Sequence, residues 1–235
     1  MRKFIALTAL VFAIPALAGQ GAYLIRVNLK KGQVVRHAYT LSTTVPAGTK
    51  PMKMDISATL RQTVTSSANG KFTIATKMES AKVNAPMLGG EQVKNIEKQM
   101  MAANTTLTMD PLGKTTVAGG QQTMQGVNTT TTYLKTPVKI GQSWTTSQKV
   151  PIQMGSIDMT VTTKLLSVEK IGVNNCYKLG LAMVSAGQLK INGSGTMWVR
   201  ASDGLQEKAT ITLKIAMGTG AQAMNMTMLT SLRRL

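Results

Sequence analysis

The sequence predicts a β-dominated fold, all-β or α+β, with long antiparallel strands in a curved sheet or half-barrel and one or two amphipathic helices. Three observations predict it. Apolar residues alternate with Thr, Lys and Ser through much of the 235-residue chain, the period of a strand that buries one face. Turn sequences separate the alternating runs at hairpin spacing. Helical spacing is clear in one stretch only, residues 91–103.

Taken in order, the chain opens with Arg2 and Lys3, an apolar run over residues 4–14, then Pro15 and Ala16-Leu17-Ala18. These are the three parts of a cleavable secretory signal peptide, so residues 1–18 are expected to be removed and residues 19–235 to form one exported β-rich domain. The apolar run is short for a bilayer span, and no second membrane segment is expected. Gly19, not a cysteine, stands directly after the expected cleavage site, which argues against a lipid anchor, and Cys176 is the sole cysteine, so no internal disulfide is expected.

Residues 52–64 place Met52, Met54, Ile56, Ala58, Leu60 and Val64 on one parity, and Asn69-Gly70 then supplies a hairpin turn before Phe72, Ile74 and Met78 resume the pattern. Residues 91–103 place Val93, Ile96, Met100 and Ala103 at helical spacing, with Glu91 near the positive end of the helix dipole. Residues 123–134 are a candidate second helix, against which the Thr129–Thr132 run counts. Asp110-Pro111-Leu112-Gly113 and Asp203-Gly204 mark two further hairpins. After the second, Ala209, Ile211, Leu213, Ile215 and Met217 share one parity of another long strand.

Two segments echo each other. Leu29-Lys30-Lys31-Gly32-Gln33 matches Val138-Lys139-Ile140-Gly141-Gln142, Met54-Asp55-Ile56 matches Ile157-Asp158-Met159, and Arg61 falls against Lys164. Ile74 falls against Leu179 and Met78 against Met183, with Leu165-Leu166 read as a bulge. This suggests two duplicated meanders, residues 22–118 and 137–217, joined edge to edge.

Lys and Arg number 27 against 9 Asp and Glu, a net charge of +18, which fits an anionic partner such as an envelope polymer. The basic residues form no run longer than two and sit in the polar phase of the strands, which also reads as a solvated sheet face. Aromatic stacking platforms are scarce, so nucleic acid is not an expected partner.

No catalytic constellation is legible. His37 is the single histidine and no nucleophile elbow is present. Cys176 lies outside any thiol motif and reads as a packed residue. The acids are scattered, hard-metal or zinc ligands lack usable spacing, and no cofactor is implied. The unusual feature is 17 methionines, including Met224, Met226 and Met228 on one face of a strand. Thioethers fill cores, line adaptable apolar sites or bind Cu(I). The residues expected to line an inner apolar face are Met54, Ile56, Met159, Met224, Met226 and Met228. The leading expectation is a non-catalytic envelope protein that holds a lipid or acyl chain there; the alternatives are a structural envelope protein without ligand and a soft-metal site.

The signal peptide, the Lys-x-Gly-Gln-x-Trp pattern at residues 139–144 and the Met-Trp-Val-x-x-x-x-Gly pattern at residues 197–204 resemble a group of uncharacterised exported bacterial β-rich proteins. Long antiparallel strands with a helix tucked against them are also similar, in architecture, to periplasmic lipoprotein carriers, whose concave face holds acyl chains. That resemblance implies an open half-barrel and a hydrophobic ligand.

Overall fold

The computed structural model describes residues 21–45, 51–117, 132–152, 155–185, 189–217 and 224–235. The expected signal peptide lies outside the described residues, as does most of the candidate second helix; residues 132–134, at its end, are not helical.

Eleven strands and one helix are described: β1 (Val34–Val45), β2 (Met52–Ala68), β3 (Lys71–Asn84), α1 (Gly90–Ala102), β4 (Asn104–Met109), β5 (Thr115–Val117), β6 (Ser143–Ile152), β7 (Gly155–Ile171), β8 (Asn174–Ser185), β9 (Leu189–Arg200), β10 (Gln206–Met217) and β11 (Met224–Arg234). They form one antiparallel sheet in the order β5-β4-β3-β2-β1-β11-β10-β9-β8-β7-β6. Each consecutive pair within a half is a hairpin or meander step, and the two halves meet where β1 pairs with β11. The edge strands β5 and β6 do not pair with each other, so the sheet is not a closed barrel.

The expected turns are present. Asn69 and Gly70 both take positive φ, 52° and 67°, the geometry that lets a two-residue loop match strand twist. Asp110 Oδ1 accepts from the Leu112 and Lys114 amides, each at 2.9 Å, which fixes the β4–β5 turn. Leu205 N donates to Asp203 Oδ1 at 3.1 Å in the β9–β10 turn.

The halves also start alike. Gly32 N donates to Val64 O at 2.8 Å and Val64 N to Gln33 O at 2.9 Å, while Gly141 N donates to Leu165 O at 2.7 Å and Leu165 N to Gln142 O at 3.0 Å. Register shifts follow at Val64/Ser66 and at Leu165/Ser167. Counting back from these equivalent pairs puts Lys164 at the place of Thr63, and Thr162 rather than Lys164 at that of Arg61. The sequence match at Arg61 was thus two residues out of step, because a period-two pattern looks the same after such a slip.

The sheet is curled, and hydrogen bonds from a strap before β1 show it. Ile25, Val27 and Leu29 are buried in the main apolar cluster. Val27 N donates to Pro111 O at 2.9 Å, and the next residue, Asn28, donates to Asp203 O at 3.0 Å. Those carbonyls belong to the β4–β5 and β9–β10 turns, which a flat sheet with strands about 4.8 Å apart would hold roughly 29 Å from each other. Adjacent residues of one extended segment reach both, so the sheet wraps around the strap at this end. Tyr23 and Val138 exchange backbone bonds at 2.8 Å, and Tyr133 Oη donates to Gly204 O at 3.2 Å, completing the closed end.

Apolar burial falls into two clusters. The larger draws on β2–β4 and β6–β10 and centres on Leu165, Leu179, Met183, Met197 and Leu213, with Val64, Ile74 and Leu107 from the first half. The smaller holds Ile56, Val83 and Ala85, with Leu41, Met54 and the helix residues Val93, Ile96 and Met100 against them.

Candidate functional site: the strip between two apolar clusters

Register places four of the expected lining residues, Met54, Ile56, Met226 and Met228, on one face. Thr43 pairs with Met54 and with Met228, Leu41 with Ile56, and Ile56 with Val83. On the other side of β11, Met228 pairs with Leu213 and Met226 with Ile215, which pairs in turn with Ile191. Side chains of directly paired residues share a face, and this is the face turned toward the strap, the inside of the curl.

The same residues divide by environment. Met159, 2% exposed, belongs to the larger cluster, and Ile56, 6% exposed, belongs to the smaller one with Met54 beside it. Met226 and Met228 lie between them and are only partly buried, as are Leu41, Tyr39, Ile215 and Ile191. The side chain of Met224 lies outside the described residues. What the fold brings together is therefore a strip across β1, β11, β10 and β9, apolar and partly open, bounded by Met228 and Ile215 packing against the larger cluster and Leu41 packing against the smaller.

Helix α1 forms one wall of this strip for a local reason. β4 pairs with β3 only from Phe72 to Lys77, which leaves the upper part of β3 without a strand on that side. Glu97 Oε1 accepts from Val83 N at 2.8 Å, satisfying an edge amide that β4 does not reach. The helix begins where Gln92 Oε1 accepts from Gly89 N at 3.2 Å. It buries no residue fully, so it covers the smaller cluster lightly.

Below the strip the inner face becomes polar. Burial raises the phenol of Tyr39 on β1 above its ordinary value. His37, 4% exposed, places Nε2 3.1 Å from Gln206 O. Asp203 lies 3.3 Å from the Arg234 guanidinium and 3.7 Å from Arg200, which stands 4.0 Å from Glu207. Gln33 Nε2 donates to Asp203 Oδ2 at 3.2 Å. Two acids thus meet around Arg200, a convergence invisible in the sequence, but Asp203 is held by the turn and by two arginines. These groups knit the closed end. Cys176 is fully buried, burial raises its thiol, and Sγ donates to Asn174 O at 3.7 Å. Among the described residues no three His, Cys, Asp or Glu gather as a metal site.

A depression of about 700 Å³ lies on the other face of the same strands, lined by Ser42, Asp55, Ser57, Lys82, Asn84 and Leu229 among others. Two of its polar groups bond to each other, Ser42 Oγ donating to Asp55 Oδ1 at 2.6 Å, and Lys53 pairs with Asp55 at 3.1 Å. Leu229, 45% exposed, faces this outer side, while its neighbour Met228 faces the inner one.

No family model and no curated protein matches the sequence. Among solved structures, one of lipovitellin, described for its lipid-protein interactions, matches 88% of this chain at 8% identity with a TM-score of 0.50. The match covers 25% of that chain, so this protein spans about a quarter of its length. A DUF1329 family protein from Desulfovibrio piger aligns over 86% of this chain and 85% of its own at 10% identity, with a TM-score of 0.21, too low to carry an argument. At these identities the lipovitellin likeness is one of fold: a β-rich, open, curved architecture shared with part of a lipid-associated protein.

Proposed function

We propose that this is an exported, non-catalytic binding protein that holds a hydrophobic ligand, such as a lipid or an acyl chain, along the inner strip between its two apolar clusters. One observation carries the reading: Met226, Met228, Leu41, Ile215 and Ile191 stay partly exposed on the inside of a curled sheet whose neighbouring inner residues are fully packed. Apolar surface left open on the inner face is favourable to cover, at about 25 cal/mol per Å² buried. Methionine suits a flexible chain because its unbranched thioether adapts to the shape presented. The lightly held helix gives such a chain a wall that can yield, and the bonded strap closes the opposite end. Among the described residues no helix is long and apolar enough to cross a membrane. Likeness of fold to part of lipovitellin is consistent with this reading.

Native mass spectrometry of the protein from its own host, followed by organic extraction of the bound material, tests it. A co-purifying acyl lipid, absent from a Met228→Glu variant, is the expected result. A clean apo mass contradicts the reading and favours a structural envelope role, and a copper adduct would move the site to thioether coordination.

A further inference from the structure

The outer face carries a second feature, unrelated to the inner strip. Register brings basic residues from separate strands into two adjoining half-rows, which one diagonal step joins into a transverse track. Lys77 on β3 pairs with Arg61 on β2, and Arg61 with Arg36 on β1. One diagonal step on, Arg233 of β11 pairs with Lys208 of β10. Lys208 pairs with Trp198 of β9, which pairs with Lys178 of β8. Seven neighbouring strands at about 4.8 Å make a row roughly 29 Å long. Glu79 pairs with Arg36 and Arg61, and Glu169 with Lys178, which leaves six cations against two carboxylates.

A merely solvated sheet face would scatter its charge. Here the next continuous row on the same strands reads Ser57, Thr40, Ser231, Thr210 and Thr196, with Lys82 as its one cation. The indole of Trp198 sits between two ammonium groups, Lys178 Nζ at 5.2 Å and Lys208 Nζ at 5.0 Å from its centroid, and its N–H donates to Glu169. Cation–π contact of this kind holds long side chains in place, reducing the rotamer entropy lost when they engage an anion.

From this alignment we infer that the row is a binding track for a linear polyanion, a flexible chain carrying repeated phosphate or carboxylate groups. At the strapped end, which this row borders, the sheet curls toward its inner face, so the outer side there bends away from a plane. A planar bilayer touches a convex arc over part of its length, whereas a flexible chain can follow all of it. The track is also narrow, and its large apolar side chains are Trp198 and, beside Arg36, the exposed Leu235, fewer than a surface that inserts into lipid presents.

The test is titration of a fluorescently labelled short polyphosphate chain over a range of salt concentrations. Lys208→Gln with Arg233→Gln should weaken binding about tenfold and flatten the log–log salt slope by about 1.4, two contacts at about 0.7 each. Lys164→Gln with Lys214→Gln, exposed outer-face lysines off the track, should change affinity less than about twofold. Equal losses from the two pairs would overturn the inference. So would wild-type binding to vesicles containing phosphatidylglycerol without binding to polyphosphate. The wild-type slope checks the same claim without substitution: a slope near zero overturns it.

Discussion

The two ends of one sheet are packed by different means. In the half built from β6 to β10, the inner face is filled by side chains of the strands themselves, with Leu165, Leu179, Met183, Met197 and Leu213 almost wholly removed from solvent. Over the upper part of β3 and the small cluster around Ile56 and Val83, the same face is covered by α1, no residue of which is fully buried. Strands that pack on each other are hard to part, while a helix laid on a sheet through three partly buried side chains and one Glu97 bond is easier to move. The proposed binding strip lies at the boundary, where the tight packing ends and the loose cover begins.

The largest effect expected from breaking this contrast is in the tightly packed half. Leu179→Ala should cost about 4 kcal/mol in a denaturant titration, as expected for a fully enclosed leucine whose neighbours relax only partly. Next comes the closed end. Gly204 has φ of 71°, and a Cβ there would stand 2.1 Å from Arg26 O, so Gly204→Ala should cost about 3 kcal/mol by straining the turn and pushing off the strap. Limited proteolysis before residue 34 should accelerate in that variant. By contrast, Ile96→Ser on α1 should cost about 1 kcal/mol while increasing fluorescence of an apolar dye at the uncovered strip. If Ile96→Ser costs as much as Leu179→Ala, the helix is part of the core and the contrast fails.

The smallest effect is electrostatic. Burial, aided by Arg234, holds the His37 imidazole below its ordinary value of 6.5, against the opposing influence of the Gln206 carbonyl, Glu207 and Asp203. Below that pH the unfolded chain takes up a proton that the folded chain resists, so the unfolded state binds more protons there. Stability is therefore fully present above pH 6.5 and declines as pH falls below it. Replacing His37 with Gln should flatten that part of the thermal-stability profile, and an unchanged slope would assign it to other groups.

Much of the local structure was legible. Asn69-Gly70, Asp110 to Gly113 and Asp203-Gly204 carry turn chemistry in the residues themselves, and the spacing of Val93, Ile96 and Met100 marked the helix within one residue of its start. Parity put Met54 with Ile56, and Met226 with Met228, on one face of their own strands; that the two pairs share a face came only from register. Pairing between β1 and β11 was not legible, because it joins residues nearly the whole chain apart and alternation contains no partner information. For the same reason the strap, the meeting of Asp203 with Arg200 and Arg234, and the basic track emerge only when separate strands are brought into register. Sequence showed Lys and Arg dispersed along the chain; the sheet lines them up.

The inner strip is tested most directly on β11, where consecutive residues face opposite sides. A fluorescent long-chain acyl probe is titrated into the wild-type protein, Met228→Glu and Leu229→Glu, with each variant confirmed as folded by its circular dichroism. Saturable wild-type binding, weakened about tenfold by Met228→Glu and less than about twofold by Leu229→Glu, is the predicted result. Equal weakening by the two variants, or loss only with Leu229→Glu, would place the ligand elsewhere and contradict the account.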